Sequence, residues 1–293
     1  MKNETNYSPK RNADRHAYLD INLKEGLGYG WRYQENWHEE MQFYYVVSGL
    51  GRIRCESDVF DLRAGETLLI NCNELHVIES LCDQLTFCSI RIDLAAMFQD
   101  MPDLIHLNYA EQLMQQRIVF DHIIDEKEQL VPLLHKLIAE HESHLPGCEL
   151  ALKSVVLQIL VILIRNYIQK IYTKKRFDLR ISSLNQLKSV IAFIHEQYTE
   201  SITVHDLAER ALMSESHFCR TFKKLYGKTV VAYVNTLRIE QAEKLLQNSP
   251  LTITEIAMNV GFNDANYFSR VFKQLKGTPP QTERNRIRQT MDH

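Results

Sequence analysis

Two sets of small, polar and basic side chains recur in the same order fifty residues apart: Ser216, Cys219, Arg220 and Lys223, then Asn266, Ser269, Arg270 and Lys273. Within each set the spacing is i, i+3, i+4, i+7, which places all four on one stripe of a helix. An arginine there can make a bidentate contact to guanine, an asparagine can do so to adenine, and serine or cysteine lets the helix sit close to base edges. A lysine at the end of the stripe answers phosphate charge. The chemistry indicated is the reading of double-stranded nucleic acid rather than the making of bonds.

The elements that must position these stripes repeat with them. "SHFCRTFKKLYG", residues 216 to 227, returns as "NYFSRVFKQLKG", residues 266 to 277, so that Phe218, Phe222, Leu225 and Gly227 become Phe268, Phe272, Leu275 and Gly277. The aromatic and leucine positions fall at i, i+4, i+7, on a stripe roughly 145° from the polar one at roughly 100° per residue. One face is expected to pack while the other faces outward. Upstream, "ITVHDLAERA" pairs with "LTITEIAMNV" at an offset of forty-nine, so the second copy holds one extra residue in its turn. Each copy therefore reads as a short helix opened by a threonine cap (Thr203, Thr252), a tight turn, and a longer helix ending near glycine. That is the grammar of a helix-turn-helix, whose second helix enters the major groove. A polar face opposite an apolar one is by itself usually a solvated surface; two copies with an arginine in the same phase decide for recognition. Between them, "TVVAYVNTLRIEQAEKLLQNSP" has Val230, Val234, Leu237 and Leu245 at helical spacing and stops at Pro250. About sixteen helical residues would span ~25 Å, a rod holding two heads near the ~34 Å of one DNA turn.

Residues 184 to 285, through "DLAERALMSESHFCRTFKKLYG", "LRIEQAEKLL" and "ITEIAMNVGFNDANYFSRVFKQLKGTPP", resemble the AraC/XylS transcriptional regulators. The resemblance implies two helix-turn-helix units on adjacent major-groove segments. It names Ser216, Cys219 and Arg220, with Asn266, Ser269 and Arg270, as base-edge readers. One departure is "PPQTERNR", where the family commonly has an aromatic before the arginine; it touches only the C-terminal cap.

From about residue 20 to 124 the text is strand-like, in short runs such as "MQFYYVVSG", "GRIRCES", "ETLLINC", "LTFCSIRID" and "RIVFDHII", several separated by Gly49, Gly51 and Gly65. Short strands with regular turn signals predict a small barrel or sandwich. "DEKEQLVPLLHKLIAEHESHL" and "CELALKSVVLQILVILIRNYIQKIY" then predict an antiparallel helix pair broken at Pro146-Gly147. The basic stretch 173 to 183 reads as a linker. "ENWHEEMQFYYVVSGLG" and "LRAGETLLINCNELHVI" look like the two halves of a cupin barrel. Metal-dependent cupins take their ligands from a His-x-His…Glu motif and a later His. The corresponding positions here are Asn36, His38, Gln42 and His76. Asn and Gln offer neutral amides in place of imidazole and carboxylate, so no metal and no cofactor is expected, and the four are candidate contacts for a hydroxyl-bearing effector such as a sugar. Trp31 and Trp37 are read first as barrel packing and second as sugar-stacking platforms. Nothing local supports Cys72 or Cys82 as an oxidation sensor. The helix pair, with Leu157, Leu160, Val161 and Ile164, is apolar enough for packing on the barrel; the family resemblance adds dimerisation there.

The whole chain, 293 residues with 45% hydrophobic and 24% charged, has the composition of a globular protein with room for two domains. Residues 1 to 181 carry 20 Lys/Arg against 26 Asp/Glu, and the remainder 14 against 11, so the excess of base lies in the C-terminal part. The first twenty residues lack an apolar signal segment, and the apolar run 155 to 164 is too short to cross a bilayer. The six cysteines, at 55, 72, 82, 88, 148 and 219, form no paired motif. Reduced thiols in a cytoplasmic protein are expected. The reading is an α+β two-domain chain. It has a cupin-like β-barrel sensor over 1–125, a helical dimerisation region over 126–172, a linker over 173–183 and an all-α double helix-turn-helix domain over 184–293. The expected partners are double-stranded DNA, a small-molecule effector, RNA polymerase and a second copy of the chain, with no membrane. Its function is effector-controlled transcriptional regulation, activation by family resemblance. The rivals are a cupin enzyme fused to a DNA-binding domain and a constitutive binder with a scaffold barrel.

Overall fold

Seven strands carry the N-terminal architecture: β1 (Leu19–Leu27), β2 (Met41–Ser48), β3 (Leu50–Cys55), β4 (Asp58–Arg63), β5 (Thr67–Ile70), β6 (His76–Ser80) and β7 (Leu85–Ile92). The computed structural model describes residues 18–33, 35–99, 109–125, 127–143 and 145–291. All neighbours are antiparallel, in a four-stranded sheet of order β1-β7-β2-β5 and a three-stranded sheet of order β4-β3-β6. The period-2 alternation of β2 explains how the sheets are used. Tyr44 and Val46 join Ile53, Leu68, Ile70, Ile78 and Phe87 in a core shared by the two sheets. Met41 and Phe43 point the other way, into a core built with helices.

Those helices are α1 (Leu94–Gln99), α2 (Ala110–Met114), α3 (Lys127–Ser143) and α4 (Cys148–Asn166). Leu130, Leu134 and Leu137 of α3 and Leu152, Val155, Val156, Ile159, Leu160 and Leu163 of α4 are buried in that second core. Of the four residues singled out on α4, Leu160 is buried and Leu157 and Ile164 pack against the core, whereas Val161 is 43% exposed. The expected continuation of α4 into "YIQKIY" is corrected: the helix ends at Asn166, and β9 (Ile168–Ile171) pairs with β8 (Ile118–Phe120), outside the two main sheets.

The chain divides between Asp178 and Leu179 into two units. The stretch 173–183, read as a linker, is helical: it opens α5 (Lys174–Gln197). It contains no Gly or Pro, and Thr173 caps its start, with Oγ1 accepting the Arg176 N–H at 3.4 Å. The second unit continues through α6 (Val204–Arg210), α7 (Glu215–Tyr226), α8 (Val230–Asn248), α9 (Ile253–Asn259), α10 (Ala265–Lys276) and α11 (Pro280–Met291). The 19 residues of α8 give a rod of roughly 28 Å. It is buried along Val230, Val234, Leu237 and Leu246, with Leu245 packed at the edge of the core of the second repeat. Among the described residues no helix is long and apolar enough to cross a membrane.

Candidate nucleic-acid interface and barrel site

Local hydrogen bonding builds both helix-turn-helix units in the same way. Thr203 and Thr252 each close a capping box, with Asp206 and Glu255 respectively returning a carboxylate to the threonine N–H. The second helices are capped by Ser214, which accepts the His217 N–H, and by Asp264, which accepts the Asn266 and Tyr267 N–H groups at 2.6 and 2.9 Å. Both end at a glycine in the left-handed region, Gly227 (φ 67) and Gly277 (φ 78). Asn263 is the extra residue of the second turn, lying between Phe262 and its cap Asp264.

The faces separate as the periodicity requires, with one exception. Phe218, Phe222, Leu225, Phe268 and Phe272 are buried, but Leu275 is 45% exposed, correcting the expectation that it packs. In the first copy Tyr226 comes directly after Leu225 and lies stacked on Phe222, 4.4 Å between centroids. In the second copy Lys276 stands there instead and reaches Glu243 at 2.7 Å, so the apolar layer stops one turn earlier, at Val271 and Phe272. Ser216, Cys219, Arg220 and Lys223 are all exposed; so are Asn266, Arg270 and Lys273, with Ser269 half-buried. Arg220 Nε donates to the Ser216 carbonyl at 3.3 Å. Arg270 lies 5.8 Å from the centre of the Tyr267 ring. Ser269 donates to the Ala265 carbonyl at 2.8 Å, keeping its hydroxyl against the helix.

Sequence reasoning passes over two neighbours of the stripes. Tyr267 is 41% exposed and its hydroxyl accepts the Asn235 amide at 3.0 Å. His205 pairs with Glu215 at 3.0 Å across the first turn, and that hydrogen bond raises the imidazole's pKa. Tyr267 is legible as the residue three before Arg270; the His205–Glu215 pair is not, because it joins two helices.

In the first unit three of the four barrel candidates converge. The His38 and His76 rings meet edge-on at 5.0 Å, and His38 Nε2 lies 2.7 Å from Gln42 Oε1. Gln42 Nε2 in turn donates to Ser89 Oγ at 2.9 Å. Asn36 is joined to His76 through the backbone, while its side chain is on an exposed residue, so it stands at the edge of the group. Burial, helped by neighbouring His38, pushes the His76 imidazole down to about 3, so it is neutral. The hydrogen bond from His38 holds the Glu40 carboxyl at about 2, against the opposing effect of burial. Trp31 packs against Tyr33 and Phe87, at 5.8 and 6.1 Å between centroids, and joins the core between the sheets. All six cysteines are free, and burial pushes the Cys72 thiol up to about 12, the wrong direction for an oxidation sensor.

Residues 20–160 match a family described as an AraC-like ligand binding domain, and residues 207–286 match a helix-turn-helix domain. Two HTH-type transcriptional regulators of Bacillus subtilis (strain 168) align along most of the chain. YdeC is 23% identical over 246 residues, covering 84% of this chain and 84% of that protein. YbfI is 27% identical over 275 residues, covering 91% and 90%. Among solved structures, the DNA-binding domain of AdpA in complex with a target DNA is 31% identical, covering 36% of this chain and 95% of that one, with a TM-score of 0.35. An AraC-like ligand-binding domain followed by a helix-turn-helix domain, in a chain that aligns over most of its length with HTH-type transcriptional regulators, makes this chain a member of the AraC family, a DNA-binding helix-turn-helix transcriptional regulator with an N-terminal ligand-binding domain.

Proposed function

We propose that the protein activates transcription from double-stranded DNA as a homodimer, with α7 and α10 reading adjacent major-groove segments. Ser216, Cys219 and Arg220 face base edges in one segment and Asn266, Ser269 and Arg270 in the next, while Lys223 and Lys273 answer phosphates. The observation that carries this reading is the exposure of both stripes on helices whose opposite faces bury Phe218, Phe222, Phe268 and Phe272. The effector is a hydroxyl-bearing small molecule of the carbohydrate class. It meets His38, Gln42 and His76, with Asn36 at the edge, by exchanging hydroxyl groups into the chain His38–Gln42–Ser89. Such a ligand shifts the regulator only through unequal affinity for two arrangements of the dimer. The exposed side of α4, where Leu150 and Val161 are 76% and 43% exposed, supports pairing of two copies, since a two-fold dimer is the commonest assembly. On this reading the protein works in the cytoplasm beside RNA polymerase and is not an enzyme; the B. subtilis relatives it aligns with are themselves regulators.

The test is DNA affinity measured against salt, for the full chain with and without candidate sugars and for residues 179–293 alone. The fragment is expected to bind, because both recognition helices and α8 lie inside it, and log affinity should fall by about 0.9 per phosphate contact for each unit of log salt. A flat salt response would sink the assignment of Lys223 and Lys273 to the backbone. A full chain whose affinity no sugar changes would sink the choice of effector.

A further inference from the structure

Cys55 at the end of β3, Glu74 between β5 and β6, and His122 just after β8 come together although 19 and 48 residues separate them in sequence. One thiol sulfur, one carboxylate oxygen and one imidazole nitrogen all lie within 4.8 Å of one another. His122 Nε2 is 3.3 Å from Glu74 Oε1. Two such donors bound tetrahedrally to one ion at roughly 2.0–2.2 Å stand roughly 3.3–3.6 Å apart, so this pair already spans one edge of a coordination tetrahedron.

The donors are also held from behind. His122 Nδ1 lies 2.8 Å from the Leu69 carbonyl, which makes Nδ1 the protonated nitrogen and leaves Nε2 facing the cluster. Glu74 Oε2 accepts the Asn71 N–H at 2.9 Å, leaving Oε1 for the ion. The Asn71 side chain both donates to and accepts from the Phe120 backbone, at 3.0 and 2.7 Å, tying the turn that carries Glu74 to the segment that carries His122. A buried thiol alone is an ordinary small apolar residue, and a carboxylate beside an imidazole alone is an ion pair. Their convergence on one point, with the outer atoms already engaged, is the layout of a coordination site.

We propose that Cys55, Glu74 and His122 bind one divalent transition-metal ion of the zinc class, leaving the fourth position to water or an exogenous ligand. The site uses none of the four barrel residues assigned to the effector. Thiolate and imidazole select zinc-like ions over magnesium and calcium. As the ion enters, Cys55 gives up its thiol proton and His122 any proton on Nε2, both to solvent, so binding strengthens as pH rises.

The experiment is a Co²⁺ titration of reduced, chelator-treated full-length protein carrying Cys219→Ser, followed by absorption. The expected result is an endpoint at one equivalent, a sulfur-to-cobalt charge-transfer band in the near ultraviolet, tetrahedral bands in the visible, and displacement by one equivalent of Zn²⁺. Cys55→Ser should abolish the charge-transfer band and weaken binding at least about tenfold, and His122→Ala should weaken it similarly. His38→Ala should leave both intact. Binding lost in His38→Ala but kept in Cys55→Ser would overturn the proposal. Should Cys55→Ser fail to fold, the parent spectrum decides: no sulfur band, or no endpoint at one equivalent, overturns it.

Discussion

The two helix-turn-helix units share a front and differ at the back. In both, a polar stripe stands in the same phase, exposed at all four positions in the first copy and at all but half-buried Ser269 in the second, a threonine capping box opens the first helix, and a left-handed glycine closes the second. Behind that surface the solutions diverge. The first unit buries an aromatic cluster in which Phe222 stacks on Tyr226 and both meet Tyr233 of α8, at 5.6 and 5.3 Å. The second fills its core from the turn, with Phe262 against Phe268 at 5.3 Å and the Arg238 guanidinium 5.6 Å from the Phe262 ring. Its turn is closed as well: Gly261 (φ 93) lies where an added Cβ would stand 2.7 and 2.8 Å from the Thr199 and Tyr198 carbonyl oxygens. The equivalent of Gly261 in the first unit is Leu212, also left-handed (φ 53) but 82% exposed. Core volume can be filled in several ways, whereas a surface with one task cannot be rearranged. The features that the two copies hold in common are therefore the better guide to function.

The largest effect separates the two turns. Gly261→Val puts a β-branched side chain at a φ it does not tolerate and drives it into backbone oxygens that cannot swing aside. The strain and the overpacking together should cost about 3 kcal/mol or more. Leu212→Gly relieves a smaller strain in open space and adds chain entropy to the unfolded state, so its net effect should lie within about 1 kcal/mol of zero. Both tryptophans, Trp31 and Trp37, lie in the N-terminal unit that ends at Asp178, away from either helix-turn-helix. Gly261→Val should therefore lower the transition seen by far-ultraviolet circular dichroism while leaving that seen by tryptophan fluorescence in place. Equal costs at the two positions would break the contrast between a closed and an open turn.

The next effect sharpens the likeness between the units. Arg220→Ala and Arg270→Ala should each cost about 1–3 kcal/mol of specific DNA binding and relax base preference in one half of the site only. Lys223→Ala should instead weaken binding evenly across sequences. The measurement is selection of each variant on randomised DNA. Loss of preference at the same positions in both arginine variants, or at none, would mean that the two helices are not independent readers.

How much of the molecule is legible in the sequence is set by the range of its interactions. The stripes, the caps, the extra turn residue Asn263 and the strands β2, β3, β5 and β7 rest on spacings within a few residues, and each is readable. Leu275 escapes such reading because its burial depends on its neighbour: the repeat writes Lys276 where Tyr226 stands in the first copy, and helical period alone does not register that loss. Residues 173–183 escape it because a basic, polar composition suits an exposed helix as well as a linker. The stretch after Asn166 does so because short apolar runs do not distinguish a helix from a strand that pairs with residues fifty positions earlier. Among the barrel candidates, type and register bring His38, Gln42 and His76 together, but the outward position of Asn36 is a property of the loop. Cys55, Glu74 and His122 have no local spacing at all; the pairing of β3 with β6, which sets Cys55 opposite His76, and the hydrogen bonds of Leu69 in β5 to His122 bring them together.

The smallest effect lies in the capping boxes, where the copies differ by one methylene. Glu255 reaches the Thr252 N–H at 2.7 Å, whereas the shorter Asp206 reaches the Thr203 N–H at 3.2 Å. The hydrogen bonds from Thr203 and Thr252 hold both carboxyls below their ordinary values. A carboxylate lowered in the folded state stabilises above its unfolded pKa and loses that contribution as pH falls through the folded value. Both boxes should therefore be complete at neutral pH and open in acid. Thr252→Ala and Thr203→Ala should each cost about 1 kcal/mol at pH 7, with Thr252→Ala the larger because it breaks the tighter box. Asp206→Glu, which lengthens the weaker box to the geometry of the stronger, should raise stability in a Thr203 background and do nothing once Thr203 is Ala. Chemical denaturation of the four variants at pH 7, repeated in acid, measures all of this. A Thr203→Ala cost exceeding that of Thr252→Ala, or an Asp206→Glu gain that persists without Thr203, would show that the carboxylate acts on the helix dipole rather than through the box.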